Sequence, residues 1–167
     1  MAELKHLSRE GIPGALAKAE RYRLLAQPWE AESIYLDVLA AEPDCEAGLV
    51  GLILALTDQL HHGPPGLARR ARELLPRLHD EYDRLYYAGI ICERRARALL
   101  EGARPGATSA VYELLREART WYEEAEARRP AGNDDAILRW NACTRLLRGH
   151  PELIPAAEER QQPYVDH

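Results

Sequence analysis

Two stretches far apart in the chain share one spacing. Ala31-x3-Tyr35 is followed by Pro43, and Ala118-x3-Tyr122 by Pro130, with eight residues from aromatic to proline in both. On a helix, residues four apart lie on one face. A small residue there lets a second helix approach closely, and the aromatic fills the space beside it. The proline then ends the helix, because it lacks an N–H and disfavours helical geometry in the residue before it. A chain that repeats this pattern is built from packed helices.

Composition agrees. The 167 residues are rich in Ala, Leu, Arg and Glu, contain no Phe and hold few Val, Ile or Thr. The first set favours helix, and the shortage of β-formers argues against a sheet. The breakers divide the chain into seven expected helices. These are Ile12–Ala26, Pro28–Ala41, Cys45–Leu60, Leu67–Leu78, Asp80–Leu100, Ser109–Arg129 and Asp134–Arg148. Asp44 is the expected cap of the third and Asp134-Asp135 of the seventh. The third is apolar nearly all round and should be buried on more than one side. Pro76 should kink or close the fourth. After Gly149 the proline-containing tail is expected to be extended, with a turn near Ala156.

A further pattern, Leu85-x2-Ala88-Gly89-x2-Cys92, lies on the fifth helix. Together with the two Ala-x3-Tyr…Pro stretches it resembles the tetratricopeptide repeat. In that family the first helix of a pair reads W-x2-L-G-x2-Y, and the second carries A-x3-F and then P. Tyr22, Ala31, Tyr35 and Pro43 match in the first repeat, while Ala15, Lys18 and Ala19 replace its Trp, Leu and Gly. The second repeat, 46–78, has helices without a signature. The third, 80–130, matches in both helices and is lengthened around 101–109. The seventh helix would cap the stack.

The resemblance implies an all-α fold of antiparallel helix pairs stacked as a short right-handed superhelix. It divides the chain into an N-terminal segment (1–11), a helical domain (12–148) and a tail (149–167). It implies a scaffold or adaptor that binds a peptide or helix of another protein in a concave groove, without catalysis and without a cofactor. The repeat pattern places Leu16, Glu20 and Arg23 of the first helix in that groove, with Val50 and Leu54 of the third and Tyr86, Ile90 and Glu93 of the fifth. Family members that hold C-terminal carboxylates use Lys and Asn at such positions. Leu16, Glu20 and Gly51 stand here instead, so the expected surface is an apolar strip with Tyr86 and Leu54 as anchors.

Other readings are weaker. His61-His62 lacks the helical spacing of a metal pair and a neighbouring ligand set. No HExxH, GxSxG, P-loop or GxGxxG occurs. Arg94-Arg95-x-Arg97 could meet phosphate or an acidic partner, but is expected to be a solvated face paired with glutamates. The net charge is −5, and residues 67–129 hold 13 basic against 11 acidic groups. That interleaving argues against nucleic acid as the main ligand. Trp29, Trp121 and Trp140 are expected to pack between helix pairs. Tyr86 and Tyr87 diverge by about 100° on a helix, so one should face a surface. Cys45, Cys92 and Cys143 read as free thiols of a reducing compartment, the cytoplasm. No apolar run reaches bilayer length, and the N-terminus has no apolar signal core. In the tail, Leu153, Ile154, Tyr164 and Val165 could anchor it in its own groove or join two copies.

Overall fold

The computed structural model describes residues 1–102 and 106–156. Among them are seven α-helices and no strand. These are α1 (Ile12–Leu24), α2 (Pro28–Ala41), α3 (Glu46–Asp58), α4 (Leu67–Leu74), α5 (Glu81–Glu101), α6 (Ala107–Glu126) and α7 (Asp135–Gly149). Short 3-10 turns occupy Arg9–Gly11, Leu75–Arg77 and Pro151–Leu153. None of these helices is long and apolar enough to cross a membrane.

Neighbours in sequence pack against one another: α1 on α2, α2 on α3, α3 on α4, α5 on α6 and α6 on α7. α1 also touches α3, and α3 touches α5. Two apolar clusters result. One joins α1 to α4 and takes Ile91 from α5; the other joins α5, α6, α7 and the Pro151–Leu153 turn. The α3 helix buries Gly48, Leu49, Gly51, Leu52, Ile53, Ala55, Leu56 and Thr57, as its all-round apolar pattern requires.

The recurrent spacing has a direct structural meaning. Ala31, Ala118 and Tyr122 are fully buried, and Tyr35 nearly so. The ring of Tyr35 fills the space above Gly51 of α3, and that of Tyr122 the space above Gly89 of α5. Each aromatic thus faces a glycine on a neighbouring helix, which lets the backbones come close.

Several boundaries differ from the sequence expectation. α1 stops at Leu24, because Ala26 turns into the left-handed region at φ 57°. Gln27 N–H then bonds to Tyr22 C=O at 2.9 Å, the closure seen in Schellman caps. α3 is flanked by Cys45 rather than capped by Asp44. α4 ends at Leu74 and Pro76 lies within the 3-10 turn that follows. α6 begins earlier than expected, at Ala107 after Gly106 at φ 82°. At α7 Asp134 holds the N-cap position without a side-chain cap bond, and Asn133 Oδ1 accepts the Asp135 N–H at 3.0 Å. Asp134 instead meets Arg129 at 3.5 Å.

Three further expectations are corrected. The tail is not extended from its start, since Leu153 is buried in the second cluster. Tyr164 and Val165 lie outside the described residues. Trp29 does not pack between helix pairs: it is 70% exposed. Trp121 and Trp140 are half-buried against the second cluster, and Arg119 lies 5.6 Å above the Trp140 ring. Tyr86 and Tyr87 do not divide between core and surface. Both are half-buried, because α5 has the core on two sides and Tyr87 touches both clusters.

Candidate functional site

The helices α1, α3, α5 and α7 are tied to one another by charge. Arg23 of α1 donates from Nε to Asp58 of α3 at 2.8 Å. Arg94 of α5 reaches the same carboxylate at 2.5 Å from Nη1. It also bonds to Thr57 Oγ1 at 2.8 Å and Leu54 C=O at 3.1 Å. Beside Arg94 on α5, Glu93 accepts from Arg97 Nε at 3.1 Å and from Arg139 of α7, whose Nε lies 3.0 Å away and whose Nη2 closes a second bond. The Tyr122 hydroxyl donates to the same carboxylate at 2.8 Å. Two triads therefore stitch four helices together, each with two arginines on one carboxylate.

Burial separates the triads in character. Asp58 and its arginines are half-buried. The Glu93 side chain is only 1% exposed, while Arg97 and Arg139 reach solvent. A buried carboxylate persists as a charge only when paired and hydrogen-bonded, and Glu93 has both. Burial disfavours the charge on Arg139, but its bonds and attraction to Glu93 outweigh that and raise its pKa. Burial raises the Tyr122 pKa, and the Glu93 charge raises it further, so Tyr122 is a donor at any ordinary pH.

The face formed by these helices ends in a cleft of about 990 Å³. Arg23 and Asp58 lie at its wall, with Leu24, Pro28 and Trp29 from the α1–α2 turn and His61 from the α3–α4 loop. His61 Nδ1 is 3.2 Å from Glu101 at the end of α5. Leu24 is 82% exposed, so this rim carries unsatisfied apolar surface beside the Arg23–Asp58 pair.

The residues expected in a groove divide. Leu16, Arg23, Val50, Leu54 and Tyr86 are half-buried, and Glu20 is exposed. Ile90 and Glu93 are core residues, with Glu93 the anchor of a triad and not a surface group. Tyr86 stacks on Tyr82 at 5.7 Å and meets Tyr87 edge-on at 5.1 Å. Burial raises its pKa, with Asp135 adding to the effect. The Arg94–Arg97 run is not a merely solvated face, since both arginines are held by carboxylates of the triads.

Sequence reasoning missed Asp58, Arg139 and the cleft. Glu93 and Arg97, four apart on one helix, were a readable pair. Arg139 is 46 residues from Glu93 and carried no local signal. Burial pushes the Cys92 and Cys143 thiols up to about 12, with Glu117 and Glu93 respectively adding to it. Neither is a thiolate nucleophile near neutral pH. Among the described residues no three His, Cys, Asp or Glu gather as a metal-ligand set. Comparison with known proteins gives no match to a family model, to a curated protein or to a solved structure.

Proposed function

We propose that this chain is a non-catalytic interaction module of tetratricopeptide-like character, and that it holds a segment of another protein along the face of α1, α3, α5 and α7. The observation that carries the reading is the pair of inter-helix triads. They fix four helices as one platform, yet leave their arginines, Leu54 and Tyr86 half-exposed. A rigid face of this kind loses little entropy when a ligand is laid on it. The cleft beside Trp29 gives the platform a pocket for an apolar side chain.

Stacking of the pairs into a superhelix and residence in the cytoplasm belong to the same reading. Support for the stacking comes from Tyr35 on Gly51, which joins the α1–α2 pair to α3, while Tyr122 on Gly89 closes the α5–α6 pair itself. The test is a peptide array probed with the folded protein and with a Tyr86→Ala, Leu54→Ala double variant. Binding peptides should lose about tenfold or more with the double variant. Peptides that bind both proteins equally would move the site off this face.

A further inference from the structure

The charges of the two triads do not balance. Arg23 and Arg94 share Asp58, and Arg97 and Arg139 share Glu93, so each triad carries one guanidinium beyond what its carboxylate neutralises. The surplus lies on half-buried groups, where charge is screened less than on an open surface. Arg94 bonds through Nη1 alone and Arg97 through Nε alone, so the rest of each fork has no partner among the described residues. A planar fork with free N–H groups suits a carboxylate held by two bonds.

The surroundings limit the length of an anionic occupant. Glu20, one turn before Arg23 on α1, and Glu101, one turn after Arg97 on α5, are both exposed. Residues 1–66 hold 10 acidic against 5 basic groups. A long polyanion such as nucleic acid would run off the arginines onto this acidic surface and be repelled. A short acidic stretch would not.

We propose that the occupant of this face is an acidic segment of a partner protein, with its carboxylates on the free forks of Arg94 and Arg97 and an apolar side chain of the same segment in the cleft beside Leu24 and Trp29. The inference rests on the interaction-face reading given above. Arg94 and Arg97 are one turn apart on α5, about 5 Å along the axis, which is within reach of two neighbouring carboxylates on an extended or helical segment.

The experiment uses three labelled peptides of alternating charged or polar and Leu residues: Glu–Leu, Gln–Leu and Lys–Leu. Fluorescence anisotropy with the full chain should give affinity for Glu–Leu about tenfold or more above that for Gln–Leu, falling as salt rises. An Arg97→Gln variant should erase most of that preference, and Arg97→Lys should restore part of it. Equal affinity for Glu–Leu and Gln–Leu, or a preference for Lys–Leu, in the unaltered protein overturns the inference whether or not any variant folds. If Gln–Leu binds as well as Glu–Leu and Tyr86→Ala abolishes both, the acidic occupant is wrong and the interaction face stands. If Glu–Leu binds and neither Arg97→Gln nor Tyr86→Ala affects it, both readings fail.

Discussion

The ring of Tyr122 occupies the space that a side chain at Gly89 would need: a methyl there would fall 2.5 Å from Cε1 of the ring. The same relation joins Tyr35 to Gly51, at 2.2 Å from Cε1. Neither glycine has a left-handed backbone, so alanine would suit both helices locally and contribute about 1 kcal/mol of helix propensity. The clash decides the sign. Both rings are buried and cannot swing away, so Gly89→Ala and Gly51→Ala should each destabilise by about 1–2 kcal/mol net. Thermal or urea unfolding checks this. A raised midpoint for either variant would mean that the ring has room to move.

Glu93 is the one acidic side chain buried outright among the described residues, and three donors converge on it. An amide at this position keeps the shape but cannot hold two guanidiniums and the Tyr122 hydroxyl as a carboxylate does. Glu93→Gln should therefore cost about 1–3 kcal/mol. Arg97→Gln should cost less, since Arg97 is 40% exposed and Glu93 keeps Arg139 and Tyr122. Urea midpoints should fall in that order, Glu93→Gln below Arg97→Gln. The reverse order would show that the α5–α7 link matters less than the pair within α5.

Helix number and most helix ends were legible, because prolines, glycines and apolar periodicity are local signals. α2 begins and ends where Pro28 and the periodicity put it. The aromatic–small spacing was legible as a packing device, but its partners Gly51 and Gly89 were not, since that pairing is tertiary. Of the residues expected in a groove, Tyr86, Leu54 and Arg23 are half-buried and Glu20 is exposed. Glu93 went inward because Arg139 and Tyr122, 46 and 29 residues away, were there to compensate its charge. The repeat pattern had put Glu93 in the groove, and the partners that compensate a buried carboxylate lie too far along the chain to leave a local signal. Trp29 misled for the opposite reason: a large ring is usually buried, and this one opens onto a cleft.

Ala26 closes α1 with φ 57°, a conformation in which a Cβ is crowded by its own backbone. It is exposed at the edge of the cleft. Ala26→Gly should raise stability by about 0.5–1 kcal/mol, relief of strain exceeding the extra freedom of the unfolded chain. Chemical denaturation measures the gain. A loss would mean that the α1–α2 turn relaxes out of the left-handed region in solution.

Alkaline pH should unfold the protein through its buried acids. Burial raises Cys92 and Cys143 from 9.0 to about 12 and Tyr82 and Tyr87 from 10.0 to about 12. The unfolded chain releases these protons near pH 9 and 10, whereas the fold holds them to about 12. Their contribution is thus intact below pH 9 and lost as the pH climbs from about 9 towards 12. The thermal midpoint should fall across that window. At pH 8 a thiol reagent should modify Cys45, half-exposed at a turn, well before Cys92 or Cys143. Equal labelling of all three in the folded protein would contradict the burial of the thiols.

Trp29 separates stability from binding most cleanly. It is 70% exposed at the mouth of the cleft, so truncating its ring removes little packing. Trp29→Ala should leave the unfolding free energy within about 0.5 kcal/mol of the parent. Trp140 behaves differently, since its ring sits under Arg119, its Nε1 donates to Glu123 at 2.8 Å and it packs on the second cluster. Trp140→Ala should destabilise by about 1–3 kcal/mol. Tryptophan fluorescence gives an independent check, because Trp29 contributes the water-exposed, red-shifted part of the emission. Its removal should shift the spectrum to the blue without moving the melting midpoint. A large drop in midpoint for Trp29→Ala would mean that the cleft is closed in solution and that its ring belongs to the core after all.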